Sequence, residues 1–260
     1  MYPVLLKVGP LTIRFYGVMI AVGFFIGMVL AQKEAARKGI KSEVINDLFF
    51  YLLLTGILGA RIYYYLFYDP DFFKKPWLIL AFWQGGLTIH GAVIGGLIAG
   101  IGYSHWKRVS FWQLADSLAP SIALGQSLGR VGCFLNGCCY GEPTTLPWGV
   151  RYTSLLSLVP DNLLGERLHP TQLYESLLCL VLFSVLWKTR KKETFEGRLF
   201  LFYLLFYSLI RFMIEFLRAD SLYVWGTSFK IAQVISIIII TVVLPIFYLR
   251  RKTWRKSGLT

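Results

Sequence analysis

Apolar residues fall into seven long runs along the chain, separated by short polar segments that are often basic. Each run approaches the roughly 20 residues that a helix needs to cross a hydrocarbon core. The pattern predicts helices over about Leu11–Gln32, Val44–Phe67, Trp77–Tyr103, Phe111–Leu135, Pro170–Trp187, Arg198–Leu217 and Ile231–Leu249. The longest stretch between runs, Asn136–His169, carries Gly, Pro, Thr and Asp as turns do. A connection of that length is uncommon unless it folds on its own or serves a function, so it is read as a small lobe. The expected fold is an all-α polytopic membrane protein with seven transmembrane helices and a small outer lobe. It is read as one membrane domain over residues 1–260, with the lobe at 136–169 and a basic tail at 250–260.

Composition supports this class. Of the 260 residues, 56% are hydrophobic and 16% charged, against about 25% charged in a soluble domain. The net charge of +13 would suggest nucleic acid in a soluble protein. Here no compact basic and aromatic platform lies outside the apolar runs, and nucleic acid is set aside as a partner. The basic residues instead follow the positive-inside rule. Sixteen of the 27 lie in alternate connections, at Lys33–Lys41, Lys107–Arg108, Lys188–Arg198 and Arg250–Lys256. That places the C-terminus in the cytoplasm and, with seven spans, the N-terminus outside. Phe72, Phe73, Trp77, Trp148, Tyr223 and Trp225 flank run ends, as interfacial aromatic belts do. The first run lacks the charged lead and small-residue cleavage site of a signal peptide and is read as a retained helix.

Several polar groups interrupt the apolar runs. Arg14 and Tyr16 open the first, Arg61 lies late in the second, Arg130 ends the fourth, and Arg211, Glu215 and Arg218 end the sixth. In the predicted topology all of these fall in the outer half of the membrane. His90, about thirteen residues into the third run, falls near mid-depth. Asp116 is the exception, at the inner end of the fourth. An ionisable group inside a membrane span faces the bundle and marks a functional site by default. Arg211 and Glu215 share a helix face at i and i+4, and Arg218 continues it at i+7. One carboxylate does not neutralise the remaining arginines, Arg130 and Arg61, so the excess positive charge points to an anion. Guanidinium groups clamp phosphate oxygens in a fork, which makes phosphate the candidate. A pure structural ion pair is the competing reading. His90, within GGLTIHGAVIGG, is either a satisfied buried histidine or a general base whose burial favours the neutral ring.

Four cysteines do not make a secreted disulfide framework. Cys133, Cys138 and Cys139 lack the paired spacing of a zinc site, and no metal is expected. Cys133 is read as packing, with a disulfide at Cys138 or Cys139 as a weaker alternative. Asn136 and Gly137 fit a backbone leaving a helix close to a ligand. His169, before Pro170 at a helix start, is read as an interfacial group.

Taken in order, IRFYG, GARIYYYLF, WQGGLTIHGAVIGG, GRVGCFLNG, HPTQLYES and LIRFMIEFLR resemble the prolipoprotein diacylglyceryl transferase family of bacterial inner membranes. The resemblance covers nearly the whole chain. It implies a seven-helix fold with an outward-facing site, and a reaction moving the diacylglyceryl group of phosphatidylglycerol onto the lipobox cysteine of a preprolipoprotein. A thioether forms and glycerol phosphate leaves. His90, Arg130, Arg211 and Tyr16 match the family's functional positions, and Glu215, Arg218, Asn136 and Gly141 its supporting ones. Of these, Arg130, Arg211, Tyr16, Asn136, Gly141, Glu215 and Arg218, together with Arg61, are expected to hold the lipid. The expected partners are phosphatidylglycerol, the preprolipoprotein signal peptide and the bilayer, with no cofactor. The chain departs from the family's GRxGNFxN by carrying Cys133 at its first asparagine. A thiol is a poorer hydrogen-bonding group than an amide. A transporter or flippase of an anionic lipid would use the same arginines, but the two halves of the chain lack the matching interrupted helices of such proteins. A non-catalytic assembly factor is the other alternative.

Overall fold

The structure is a computed structural model that describes residues 3–9, 11–68, 76–80, 85–192 and 195–256. Phe72 and Phe73 of the expected aromatic belt, and the last four residues of the basic tail, lie outside this set. The chain divides into two compact units, Ala31–Ser117 on one hand, and Met1–Leu30 with Leu118–Thr260 on the other.

In the larger unit, the first apolar run does not begin as a helix. Strands β1 (Val4–Val8) and β2 (Leu11–Arg14) form an antiparallel hairpin, turned at Gly9 with φ +57°. Apolar-polar alternation in LTIR suits a strand, and α1 (Phe15–Arg37) starts only after it. Helices α4 (Phe111–Asn136), α5 (Thr171–Thr189), α6 (Arg198–Glu215) and α7 (Ile231–Lys256) fall close to the expected runs. The buried positions of α5 (Thr171, Gln172, Glu175, Ser176, Cys179, Leu182, Leu186) recur every three to four residues, the period of one helix face. At one end this face is apolar. Leu182 and Leu186 pack with Ala119 and Ala123 of α4 and with Leu199 and Tyr203 of α6. At the other end it is polar, and the site lies there.

The segment after α4 folds on its own small core of Tyr140, Tyr152, Val159 and Leu168. Strands β3 (Val150–Arg151) and β4 (Arg167–Leu168) pair antiparallel within it. The Tyr152 phenol accepts a hydrogen bond from Gln172 Nε2 at 3.2 Å, and burial pushes its pKa up.

In the smaller unit, α2 (Ser42–Tyr68) packs against α3 (Ile89–Lys107). A Cβ at Gly91 would collide with the Gly59 carbonyl, and one at Gly95 with the Thr55 carbonyl. Small residues at these positions let the two backbones touch, the contact that holds helices together where the solvent is lipid. The third run is shorter as a helix than expected. Gly85 and Gly86 sit at φ +84° and +66°, a left-handed conformation that ends helical pairing. His90 is therefore the second residue of α3, not one about thirteen residues in, and it is exposed. The place deep inside a helix from which its mid-depth position was read does not hold, and the protein does not bury it.

Among the described residues, three helices are long and apolar enough to cross a membrane: Phe15–Arg37, Ser42–Tyr68 and Ile231–Lys256. Large apolar side chains stand exposed on α1, α2, α3, α5, α6 and α7, among them Phe25, Phe50, Ile98, Leu177, Met213 and Ile238. Contiguous exposed apolar surface marks contact with a partner or a membrane.

Replacing Gly91 by alanine will destabilise the protein by about 1–3 kcal/mol, the usual cost of overpacking. Gly102, with nothing within 4 Å of an added Cβ, will tolerate alanine or gain slightly. Thermal unfolding of both variants in detergent tests the contrast.

Candidate active site

The polar end of α5 carries Glu175, a carboxylate whose side chain is 2% exposed. Arg130, on the last turns of α4, reaches it with Nε at 3.0 Å. Arg211 of α6 places Nη1 3.5 Å from the same oxygen. The Tyr207 hydroxyl donates to the other oxygen at 3.3 Å. Arg211 also pairs through Nη2 with Glu215 at 2.7 Å, the i,i+4 pair expected from the sequence. Tyr207, Arg211 and Glu215 lie on one α6 face because their spacing is one turn each. Three helices thus converge on one buried carboxylate. Ser127 of α4 and Ser176 of α5 brace the convergence, each hydroxyl donating to the other's backbone carbonyl at 2.9 Å.

Glu175 corrects the charge count made from the sequence. Arg130 does have a carboxylate partner, and it shares that partner with Arg211. Arg218 is corrected as well. α6 ends at Glu215, so Arg218 leaves the helical face and pairs with Asp220 through Nε at 3.0 Å and Nη2 at 2.8 Å. Glu215 does not hold it. Lys230, also buried, donates to the carbonyls of Glu215 at 2.7 Å and Arg218 at 2.8 Å. Three arginines (Arg130, Arg211, Arg218) therefore face three carboxylates (Glu175, Glu215, Asp220), and a fourth cation, Lys230, is held by carbonyls alone. One positive charge is in excess. Arg211 Nη1 is buried and makes no hydrogen bond among the described residues, despite its ion pair.

The supporting positions surround this cluster. Tyr16, at the start of α1, packs against Gly132, where a Cβ would stand 3.2 Å from the Tyr16 Cα and 3.3 Å from its ring. Asn136 accepts a hydrogen bond from Arg14 at 3.4 Å. Gly141 forms an isolated antiparallel bridge with Arg218 and donates to the His169 carbonyl at 3.0 Å. A Cβ there would lie 2.5 Å from the His169 Cβ, so only glycine lets these strands meet. Cys133, Cys138 and Cys139 are free thiols beside this segment.

Two expected residues belong to the smaller unit. The Arg61 guanidinium is buried and donates to the carbonyls of Leu78 at 2.6 Å, Ile79 at 3.4 Å, Gly85 and Gly86, and to the Tyr65 hydroxyl at 2.9 Å. Its nitrogens are engaged by the segment that leads into α3, which makes it an organiser of that segment. His90 stacks on Tyr63 with ring centroids 5.8 Å apart.

Comparison with known proteins places the chain in a family. A sequence profile described as prolipoprotein diacylglyceryl transferase matches residues 3–249. The chain belongs to the prolipoprotein diacylglyceryl transferase family. Relatives named phosphatidylglycerol–prolipoprotein diacylglyceryl transferase are similar over most of their length. One from a Nostoc species is 44% identical over 241 residues, covering 90% of this chain and 84% of the relative. One from Oceanobacillus iheyensis is 40% identical, covering 96% and 88%. One from Staphylococcus aureus is 37% identical, covering 96% and 89%. These names match the transferase expectation and not the transporter alternative.

Sequence reasoning missed Glu175, Tyr207, Asp220 and Lys230. Glu175 had a signal: it is a carboxylate inside an apolar run, at a position where an unpaired charge is costly. Replacing Glu175 by glutamine leaves two buried guanidinium groups short of their counter-charge. That will cost about 3–5 kcal/mol of stability, read as a lowered thermal midpoint in detergent. The exposed Glu166→Gln will stay within about 0.5 kcal/mol.

Proposed function

We propose that the chain transfers the diacylglyceryl group of phosphatidylglycerol to the lipobox cysteine of a preprolipoprotein. The buried Arg211 Nη1 without a hydrogen bond, in a cluster with one excess positive charge, carries the assignment of lipid headgroup binding to this site. The site offers a phosphate a donor that is already desolvated and already oriented.

In this reading Arg130 and Arg211 hold the headgroup phosphate, with Arg218, Asn136 and Gly141 shaping the place it occupies. Glu175 and Glu215 are positioning residues that fix the two guanidinium planes. Tyr16 touches the glycerol or phosphate. The acceptor thiol gives its proton to His90, which is assigned this role on its chemistry. The sulfur then attacks the glyceryl carbon bearing the phosphoester oxygen. The C–S bond forms as the C–O bond breaks, and glycerol phosphate leaves with the electron pair on its oxygen. Negative charge grows on that oxygen in the transition state, where oriented donors in a water-poor site act most strongly. Arg61 acts through the segment before α3 and not by direct contact with the lipid.

The protein is a bacterial membrane enzyme. We read all seven helices as spans of the cytoplasmic (inner) membrane, including the four that are shorter or more polar. Alternating basic connections support a cytoplasmic C-terminus and an outer N-terminus. The folded segment over residues 136–169 is then an outer lobe above a single membrane domain, and residues 250–260 a cytoplasmic basic tail.

Purified protein incubated with phosphatidylglycerol and a lipobox peptide will yield the diacylglyceryl thioether by mass spectrometry. A serine-for-cysteine peptide will yield none. Arg130→Lys and Arg211→Lys, which keep the charge and lose the fork, will each lower turnover by about 10²–10³-fold. His90→Gln will lower it by about 10²–10⁴-fold at neutral pH. Near-normal turnover in both lysine variants would sink the phosphate clamp, and near-normal turnover in the glutamine variant would sink the base assignment.

A further inference from the structure

The sulfur atoms of Cys133, Cys138 and Cys139 all lie within 4.8 Å of one another. Sequence spacing hides this, because the residues stand at i, i+5 and i+6 and no paired CxxC occurs. The turn after α4 creates it. Gly137 adopts φ +75°, and the Cys133 carbonyl accepts hydrogen bonds from Gly137 N at 2.9 Å and Cys138 N at 3.2 Å. The chain thereby folds back over the end of its own helix. Cys139 then takes φ +61°, a conformation that costs a residue with a side chain about 1–3 kcal/mol. Asp220 holds it there, accepting the Cys139 N–H at 2.9 Å, and Thr171 donates to its carbonyl at 2.7 Å.

We propose that Cys133, Cys138 and Cys139 form a three-thiolate site for a thiophilic d¹⁰ cation of the zinc class, with its fourth position open to an external ligand. Zinc–sulfur bonds of about 2.3 Å set the sulfurs of a tetrahedral site roughly 3.8 Å apart, so the three need to close by no more than about 1 Å. Among the described residues no histidine or carboxylate ligand atom joins the group, and Asp220, the carboxylate bonded to this segment, is committed to Arg218 and the Cys139 N–H. Three protein ligands with an open position is the pattern of reactive zinc sites, where structural ones have four. Binding releases the thiol protons, since the thiolate is the ligand. The site stands one turn beyond Arg130 on the same face of α4, at i and i+3. It is thus adjacent to the proposed transfer site, but the inference does not depend on that reading.

The test is metal binding by the full-length, reduced, metal-stripped protein in detergent. Cobalt(II) will give thiolate-to-metal charge-transfer absorption and the intense visible bands of a tetrahedral centre, titrating to one equivalent. Zinc will displace it. Zinc will also protect the half-buried Cys138 and Cys139 from maleimide, counted by mass, with the buried Cys179 as the internal reference. Cys133→Ser, Cys138→Ser and Cys139→Ser will each weaken binding at least about tenfold, more than the loss of an outer hydrogen-bond partner would at its mildest. The protection experiment uses only the unmodified protein, so it decides the matter even if a variant misfolds. No cobalt bands, bands that persist in the triple serine variant, or a disulfide among the three in freshly alkylated membranes would each overturn the site. Diacylglyceryl transfer measured on the same preparations reports separately on the proposed function.

Discussion

A single buried carboxylate organises the larger unit. Glu175 takes the guanidinium groups of Arg130 and Arg211 and the hydroxyl of Tyr207, and so ties α4, α5 and α6 at one point. Taking an ion out of water costs several kcal/mol, even after relaxation. Each of these groups is tolerable inside an apolar bundle only because the others are there. The apolar layer of Ala119, Ala123, Leu182, Leu186, Leu199 and Tyr203 packs the same three helices farther along and supplies cohesion. It does not specify which turn faces which. The charges do, because a mismatched pairing would strand them.

The same logic explains why the cluster is nearly but not fully neutral. Asp220 answers Arg218, and Lys230 is held by two backbone carbonyls just past the end of α6. Carbonyls at a helix C-terminus carry partial negative charge, which makes that end a fitting seat for an ammonium group. Lysine there secures the last turn of α6 without using up a carboxylate. The cluster thereby keeps a positive surplus, which in the proposed reading meets the anionic headgroup, and the fold does not have to carry an unpaired buried arginine in order to keep it.

The helices were legible in the sequence because long apolar runs of this length fold as helices, and among the described residues each of the seven runs holds one α-helix. Their ends were less legible. LTIR reads as the start of an apolar run, and only hairpin pairing reveals it as a strand. Gly85 and Gly86 sit inside an apolar stretch, where hydropathy does not register the backbone break they cause. At the other extreme, α7 runs on through Arg250–Lys256, since lysine and arginine are good helix formers and the end of hydropathy is not the end of a helix. In the site, the Arg211–Glu215 pair was legible from spacing within one helix. Glu175 pairs across elements, where spacing says nothing, and Asp220 meets Arg218 only because α6 ends at Glu215 and frees that arginine from the helical face. The thiol cluster was missed for the same reason: a left-handed turn shortens a distance that the sequence presents as five and six residues.

The reciprocal bonds between Ser127 and Ser176 bear on fidelity of assembly. Each hydroxyl satisfies itself on the facing helix, so the pair asks nothing of its surroundings. A slip of one residue along either axis, about 1.5 Å and 100° of rotation, would orphan both hydroxyls at once. It would also swing Arg130 off Glu175, because these ions sit three residues and one residue from the serines on their respective helices. Two small side chains therefore act as a gauge block, admitting one alignment of α4 against α5 and rejecting its neighbours before any ligand arrives.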